Sequence, residues 1–296
     1  MSRRFVYYGV GRSADSLLLD LYPAEVAYSL RKLRTDYNGS AIRVRRSSDN
    51  AEMDIGFLGN DLDTASLLAF CGVNDGRVAV LYDQSLNGIN KIQPSASNQP
   101  YIVDQGELLT ENSKPAIYRT KPSENITTWM YAPHTFPTGD ILTTNVFVGK
   151  RIAGSGFAAL VGIAPLQHVP NDRRHVKKSI ESTTSFAVRL EGGNTLFNSG
   201  SGYVQSLFSS WREVVNTNFK ARRNGVNLAV ASSGASKNLN IQADSAFTIF
   251  QTGGRPYTDS NPPVNGIFQE TIWWLNDESA NLQAIETNIN NYYAIY

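Results

Sequence analysis

The sequence of 296 residues contains a single cysteine and no long hydrophobic run. Because Cys71 has no partner, an intramolecular disulfide is excluded and no disulfide framework stabilises the fold. The longest apolar run, 157–166, is shorter than the roughly 20 residues that a transmembrane helix needs. The first ten residues lack the apolar segment of a signal peptide. These absences predict a soluble protein that is made in a cytoplasm and does not insert into a membrane.

Charge is also scarce. Charged residues make up 18% of the chain, below the roughly 25% usual in soluble domains, and the net charge is +1. A disordered chain or a coiled coil would carry more charge, and a balanced chain has no general reason to bind nucleic acid. His134, His168 and His175 lack metal-ligand spacing, and neither a P-loop nor a GxGxxG motif occurs. We therefore expect no metal, cofactor or nucleic-acid partner.

Alternation of apolar and polar residues is the main pattern that the sequence does contain, and it predicts β-strands. Clusters of Gly, Ser, Asn and Pro separate the strands, which is typical of an antiparallel sandwich. The basic run 173–178 is predicted to be a solvated loop or, alternatively, a contact with an acidic neighbouring subunit. The predicted strands are 42–45, 52–57, 78–82, 145–152, 156–163, 185–191, 203–211, 226–231, 246–251 and 266–275.

Helical spacing is confined to three segments. The first, 23–37, begins at Pro23, a residue well suited to a first helical position. The second, 63–71, has Asp63 as its N-cap and ends at a glycine. The third, 277–292, is predicted to be capped by Asp277. Its expected apolar face consists of Leu282, Ile285, Ile289 and Tyr292.

Three segments carry a resemblance to a known family. They are 18–50, with LLDLY, AYSLR and IRVRRSSDN, then LYDQSLNG at 81–88, and GIFQE at 266–270. Together they resemble the catalytic domain of the arabinofuranosidase B family, over roughly residues 16–296. The resemblance implies an all-β fold, a concanavalin A-like (LamG-type) jelly-roll sandwich with a few short helices. Many chains with this opening look like tail, fibre or capsid-surface proteins of bacteriophages.

The enzymes of this family are expected to cleave arabinofuranose with retention, which requires two carboxyl groups about 5–5.5 Å apart. The resemblance places Glu191 at the nucleophile position, although Arg189 precedes it where the family has an aspartate. At the acid/base position, Gly253-Gly254 are followed by Arg255, so that carboxyl group is missing. A lone ionised Glu191 cannot protonate a leaving group. Enzymatic activity is therefore doubtful, and Glu191 is interpreted as a vestigial catalytic residue, a surface ion pair or a sugar contact.

Other residues have a structural and a functional interpretation. Glu270 falls on the predicted core face of its strand, where it is either a satisfied structural carboxylate or a catalytic acid. Asp83 caps a turn or contacts a sugar. The tryptophans pack in the core or stack on sugar rings, and Trp129, in a loop-rich stretch, is the best exposed candidate. Since Trp273 and Trp274 point to opposite faces of one strand, at most one of them is expected in the core. The predicted glycan-binding residues are Glu191, Arg255, Trp129 and Asp83.

We therefore expect a non-enzymatic virion surface protein of a bacteriophage, a capsid spike, head fibre or tail fibre component, made in the host cytoplasm. Its expected partners are other virion proteins, copies of itself and a host glycan. The alternatives are a retaining glycosidase of arabinofuranosidase type and a lectin. Residues 1–15 are predicted to form an attachment arm that precedes a single jelly-roll domain at 16–296. The assembly residues of the arm are Arg3, Arg4, Phe5, Tyr7 and Tyr8.

Overall fold

The computed structural model describes residues 16–121, 128–153, 159–165, 176–180, 185–190, 193–200, 203–215, 217–233, 245–250 and 265–296. The predicted fold class is confirmed, since strands dominate and form a β-sandwich with a few short helices. The helices are α1 (Leu18–Leu21), α2 (Thr64–Cys71) and α3 (Leu282–Tyr293), with one 3-10 turn at Ala96–Asn98. Within the described part, no helix is long and apolar enough to cross a membrane.

The strands pair in antiparallel fashion, and most of them belong to one continuous hydrogen-bonded network. In chain order they are β1 (Val26–Ser29), β2 (Ile42–Arg46), β3 (Glu52–Ile55), β4 (Phe57–Leu58), β5 (Asp61–Leu62), β6 (Gly76–Leu81), β7 (Lys91–Ile92), β8 (Tyr101–Asp104), β9 (Glu107–Leu108), β10 (Thr110–Glu111), β11 (Lys114–Pro115), β12 (Ile117–Tyr118), β13 (Met130–Pro133), β14 (Thr144–Ala153), β15 (Ala159–Pro165), β16 (Val176–Ile180), β17 (Ser185–Leu190), β18 (Gly193–Asn198), β19 (Ser206–Trp211), β20 (Lys220–Arg223), β21 (Val226–Asn227), β22 (Val230–Ser233), β23 (Ser245–Ile249) and β24 (Asn265–Trp274).

The long strands β14 and β24 pair with each other, and β14 also pairs with β19 and β24 with β1. Successive side chains of a strand point to opposite faces, so Val146 and Val148 lie in one apolar cluster and Phe147 in another. The cluster on the inner face fills the space between the two layers of the sandwich. There the Phe147 ring is 5.2 Å from that of Phe208 and 6.0 Å from that of Phe186 on β17. Both faces of this sheet are therefore buried.

The outer face is covered by α1 and α3, which contribute Leu18, Leu19, Leu282, Ile285, Ile289 and Tyr293 to the outer cluster. This covering corrects the expectation for the adjacent tryptophans. Trp273 lies in the inner cluster and Trp274 in the outer one, and their exposed fractions are 0% and 1%. Both are core residues because a helix packs on the sheet face that a simple two-layer sandwich would leave in solvent. Trp211 is also buried.

The predicted helix at 23–37 is wrong. Val26–Ser29 forms β1, which lies against β24 with all four side chains buried. Ala27 belongs to the outer cluster, whereas Val26 and Tyr28 belong to the inner one. A strand buried on both faces is mostly apolar, and a short run of this kind matches helical spacing as well as strand spacing. The hydrogen-bonded pairing with β24 makes this segment a strand and not a helix.

The second helix is confirmed, because α2 spans Thr64–Cys71 and the Asp63 carboxylate accepts a hydrogen bond from Ser66 N at 3.0 Å. Gly72 ends the helix with φ of +56°, a conformation that glycine adopts without strain. The third helix is confirmed but its predicted cap is wrong. α3 begins at Leu282, whereas Asp277 accepts from Ser279 N in the preceding turn.

The buried face of α3 also differs from the prediction at its end, where Tyr293 is buried and Tyr292 is only half-buried. Most predicted strands are confirmed to within a few residues, and the segment 226–231 is divided between β21 and β22. The basic run 173–178 is not wholly a loop, since its residues 176–178 belong to β16, which pairs with β15 and β17. Its first three residues lie outside the described part.

Candidate functional site

Several predicted site residues lie outside the described residues. β17 ends at Leu190, so Glu191 is the first residue beyond it, and Arg255 falls within 251–264. The five assembly residues belong to the segment 1–15, which is also outside the described part. Their predicted roles stay predictions.

Asp83 is described, and its carboxylate organises a turn. Its exposed fraction is 3%. Oδ1 accepts from the backbone amides of Ala27 and Ser85, both at 2.9 Å, and Oδ2 accepts from Ser85 Oγ at 2.7 Å and from Ile89 N at 3.2 Å. Four donors saturate a carboxylate that has about four lone-pair positions. The structure thus shows the turn-capping role, and the sugar-binding role of Asp83 stays a prediction.

Trp129 is half-buried and precedes β13. Its ring lies 5.3 Å from that of Tyr131. Its carbonyl accepts from Gln93 Nε2 at 2.7 Å, and its amide donates to Asn98 O at 3.2 Å. These bonds fasten Trp129 to the 3-10 turn, which also borders the pocket described next.

A pocket of about 240 Å³ opens beside this turn. Neighbouring strands build it, because Arg45 on β2 lies directly opposite Arg77 on β6. On its other side Arg45 lies opposite Glu52 on β3, and Arg77 lies opposite Tyr101 on β8. The four side chains therefore form one row across four strands. The residues that line the pocket are Arg45, Ser47, Asn50, Arg77, Ala96 and Ser97.

The two guanidinium groups in this row differ in the charge of their partners. Arg45 forms an ion pair with Glu52 and donates from Nε to Gln99 Oε1 at 3.2 Å. Arg77 lies over the buried Tyr101 ring, 4.3 Å from its centroid, and donates to the Ala96 carbonyl at 3.3 Å. In the part of the chain that the structure describes, no carboxylate lies within ion-pair distance of Arg77. The pocket is thus a positively charged site for polar groups. The alternation of Arg43 and Arg45 with apolar residues indicated only that these two arginines face outward.

Glu270 is a structural carboxylate, and the alternative of a catalytic acid finds no support. It is fully buried, and it accepts from Ser29 Oγ at 2.8 Å and from Arg31 Nε and Nη2 at 2.8 and 3.0 Å. Burial alone would lower the pKa of Arg31, but the charge and hydrogen bonds of Glu270 outweigh it and raise that pKa. The pair joins the segment that follows β1 to β24, and Asn288 of α3 accepts a further bond from Arg31.

Lys91 is the most unusual ionisable group in the core. It is fully buried, and its Nζ has no hydrogen-bond partner among the described residues. Nζ lies 4.4 Å from the centre of the Tyr28 ring and 5.8 Å from that of Phe247. Burial lowers the pKa of Lys91 well below 10.5, and the charge of Asp83 only partly opposes this. The aromatic rings around Nζ and its burial indicate a structural position in the core.

His134 Nε2 lies 3.1 Å from a Glu25 carboxylate oxygen, and burial lowers the pKa of His134 although Glu25 opposes the shift. In the described part, no group of three or more His, Cys, Asp or Glu side chains could hold a metal ion.

The fold is a β-sandwich, and comparisons with known proteins find similar sandwiches among arabinofuranosidases. Residues 20–114 match the sequence model of the family described as alpha-L-arabinofuranosidase B, catalytic. This match includes the opening segments on which the resemblance was based. A comparison with curated proteins finds no match.

Among solved structures, the chain is similar to a mutant of a GH54 α-L-arabinofuranosidase soaked with 4-nitrophenyl α-L-arabinofuranoside, with a TM-score of 0.63 and 18% identity. It is also similar to an arabinofuranosidase complexed with arabinofuranosyl-α-1,2-xylobiose, with a TM-score of 0.58 and 15% identity. Each likeness covers 90% of this chain and 62% of the other. The chain thus spans less than two thirds of those proteins, and the likeness shows the fold.

Proposed function

We propose that the protein is a non-enzymatic carbohydrate-binding sandwich on the surface of a bacteriophage virion. One observation carries the non-enzymatic part. The arabinofuranosidase-type scaffold is present, but Arg255 follows Gly253-Gly254 where the resembling family has its acid/base aspartate. A retaining mechanism needs that group to protonate the leaving oxygen, and losing a general acid typically costs about 10²–10⁴ in rate. A cation there also disfavours the positively charged transition state.

The carbohydrate-binding part is supported by the scaffold, whose similar structures carry sugar ligands, and by a polar pocket bordered by the 3-10 turn to which the half-buried Trp129 is bonded. Aromatic rings and charged or amide side chains are the groups with which proteins hold sugars. The virion part is supported by the resemblance of the opening segments to phage tail, fibre and capsid-surface proteins. In that setting we expect other virion proteins and further copies of the chain as partners.

Incubation with 4-nitrophenyl α-L-arabinofuranoside should release no nitrophenol above the buffer rate, while arabino-oligosaccharides or a glycan array should show weak binding. The variant Arg255→Asp should stay inactive, because Arg189 and the glycines after Glu191 also depart from the enzyme pattern. Turnover by the wild type that disappears in Glu191→Gln would contradict the proposal and favour a retaining glycosidase. Absence of all glycan binding would contradict its carbohydrate-binding part.

Deletion of residues 2–11 tests the attachment arm. This segment contains all five predicted assembly residues but is too short for a core of its own. We expect the truncated protein to lose its incorporation into phage particles and to keep the thermal unfolding temperature of the full chain. Co-purification with particles provides the measurement. Normal incorporation of the truncated protein would exclude the arm, and failure of the full chain to co-purify would exclude the virion role.

A further inference from the structure

The pair Arg45–Arg77 is an unusual feature of the sheet. Residues directly opposite each other in an antiparallel pair have Cβ atoms about 4.5–5.5 Å apart, and like charges at such positions destabilise the sheet. Arg45 and Arg77 are directly opposite. Glu52 compensates the outer side of Arg45, but it lies one strand further from Arg77. The positive charge of Arg77 is therefore left facing the pocket.

The surroundings of Arg77 hold its side chain in place without neutralising it. The face of the fully buried Tyr101 supports the guanidinium from below at 4.3 Å. Asp75 is close enough to respond to the charge of Arg77, but its carboxylate is bound by Lys121 Nζ at 2.6 Å. A guanidinium that is ordered by an aromatic ring and lacks its own carboxylate is prepared to bind an anion with little further ordering.

The rest of the lining offers uncharged polar groups. In the described part, the Asn50 side-chain amide forms no hydrogen bond, and its residue is held in the left-handed conformation with φ of +58°. The hydroxyl of Ser47 accepts from Asp75 N and can still donate, and Ser97 is exposed beside it. Since a water molecule occupies about 30 Å³, the volume of about 240 Å³ corresponds to about eight waters. This is more space than a single small anion fills.

We propose that this pocket binds the carboxylate of an acidic sugar, with Arg77 and Arg45 contacting the anion and Asn50, Ser47 and Ser97 contacting ring hydroxyls. The choice of a sugar rests on the proposed carbohydrate-binding function, whereas the choice of an anion rests on the pocket alone. None of the five residues belongs to the predicted glycan-binding set. The pocket therefore adds five residues to those expected to contact a glycan.

Titration calorimetry with digalacturonate, its neutral counterpart galactobiose and inorganic phosphate tests the proposal. We expect wild-type protein to bind digalacturonate at least tenfold more tightly than either control ligand. Arg77→Gln should weaken this binding about tenfold or more, because a charge-assisted hydrogen bond is lost. The matched control is Arg43→Gln, which removes the same charge from the same face of β2 outside the pocket, and its affinity should stay within about twofold.

A second variant keeps the proposal testable if Arg77→Gln does not fold. Asn50→Asp keeps a residue type that tolerates the left-handed conformation and places a negative charge in the exposed rim, so it should also weaken binding about tenfold. Four outcomes would each overturn the proposal. They are equal binding of phosphate and digalacturonate, equal binding of galactobiose and digalacturonate, no binding at all, and unchanged affinity in both variants. Arabino-oligosaccharides serve as a separate arm. Their binding without that of digalacturonate would refute this site and leave the proposed function standing, whereas binding of neither sugar would overturn both.

Discussion

Glu270→Gln should lower the free energy of unfolding by about 3–5 kcal/mol, the usual cost of removing one partner from a buried ion pair. The carboxylate has an exposed fraction of 0% and accepts two bonds from Arg31 and one from Ser29. A glutamine has the same shape but presents an N–H group to the guanidinium on one side. Arg31 would then be a buried cation without a counter-charge, and the junction of β1, β24 and α3 would loosen.

Urea denaturation of the wild type and the variant provides the measurement. The matched control is Asp54→Asn, which breaks the Arg43–Asp54 pair on β2 and β3, where about 40% of each side chain is exposed. Exposed pairs contribute about 0–1 kcal/mol, so the control should change stability by no more than that. The double variant Arg31→Met with Glu270→Leu should regain most of the loss, because it removes both buried charges. A loss below 1 kcal/mol in Glu270→Gln would refute the structural role.

Lys91→Met should have the opposite effect and raise the free energy of unfolding at neutral pH by about 1–3 kcal/mol. A buried hydrogen-bond donor without a partner destabilises the folded state by about 1–3 kcal/mol. Methionine fills a similar volume without a polar atom. Nζ has no hydrogen-bond partner among the described residues and lies between two aromatic rings. Lys220→Met, on a side chain that is 57% exposed, is the control and should change stability by about 1 kcal/mol at most.

The gain in Lys91→Met should also depend on pH. The folded-state pKa of Lys91 is lowered by burial, whereas the unfolded chain keeps a value near 10.5. Between these two values the unfolded state binds more protons than the folded state, so wild-type stability falls as the pH is lowered. The advantage of Lys91→Met should therefore be larger at neutral pH than at a pH just below 10.5. An advantage that is constant across this range, or absent, would show that Lys91 keeps its proton in the folded state.

Short-range signals in the sequence predicted local structure well. Asp63 and Gly72 marked both ends of α2, and alternation over 145–152 identified β14. The resemblance at the front of the chain led to the correct fold, a β-sandwich like that of the similar arabinofuranosidase structures. The helix predicted at 23–37 failed because spacing alone does not distinguish a helix from a strand that is buried on both faces.

The candidate site was less predictable. Trp129 was singled out as an aromatic residue in a loop, and its amide bonds to the 3-10 turn, but the pocket that this turn borders was missed. Arg45 and Arg77 are 32 positions apart, and each appears in the sequence as an ordinary outward-facing residue of a strand. Only the β2–β6 register places one opposite the other. A shift of that register by one residue would turn one of them to the other face.

By itself, the sequence determined what depends on neighbouring positions or on composition: the predominance of strands, the absence of a disulfide, the cap of α2 and the all-β class. Tertiary structure alone decided which faces are covered. Trp273 and Trp274 are both core residues because α3 packs on the outer face of β24. Glu270 is structural because Arg31, 239 positions away, reaches it, and Arg77 faces a pocket because its neighbour across the strands is another arginine. The free energy of a charge depends on burial and on nearby charges, and in a sandwich those neighbours come from distant strands.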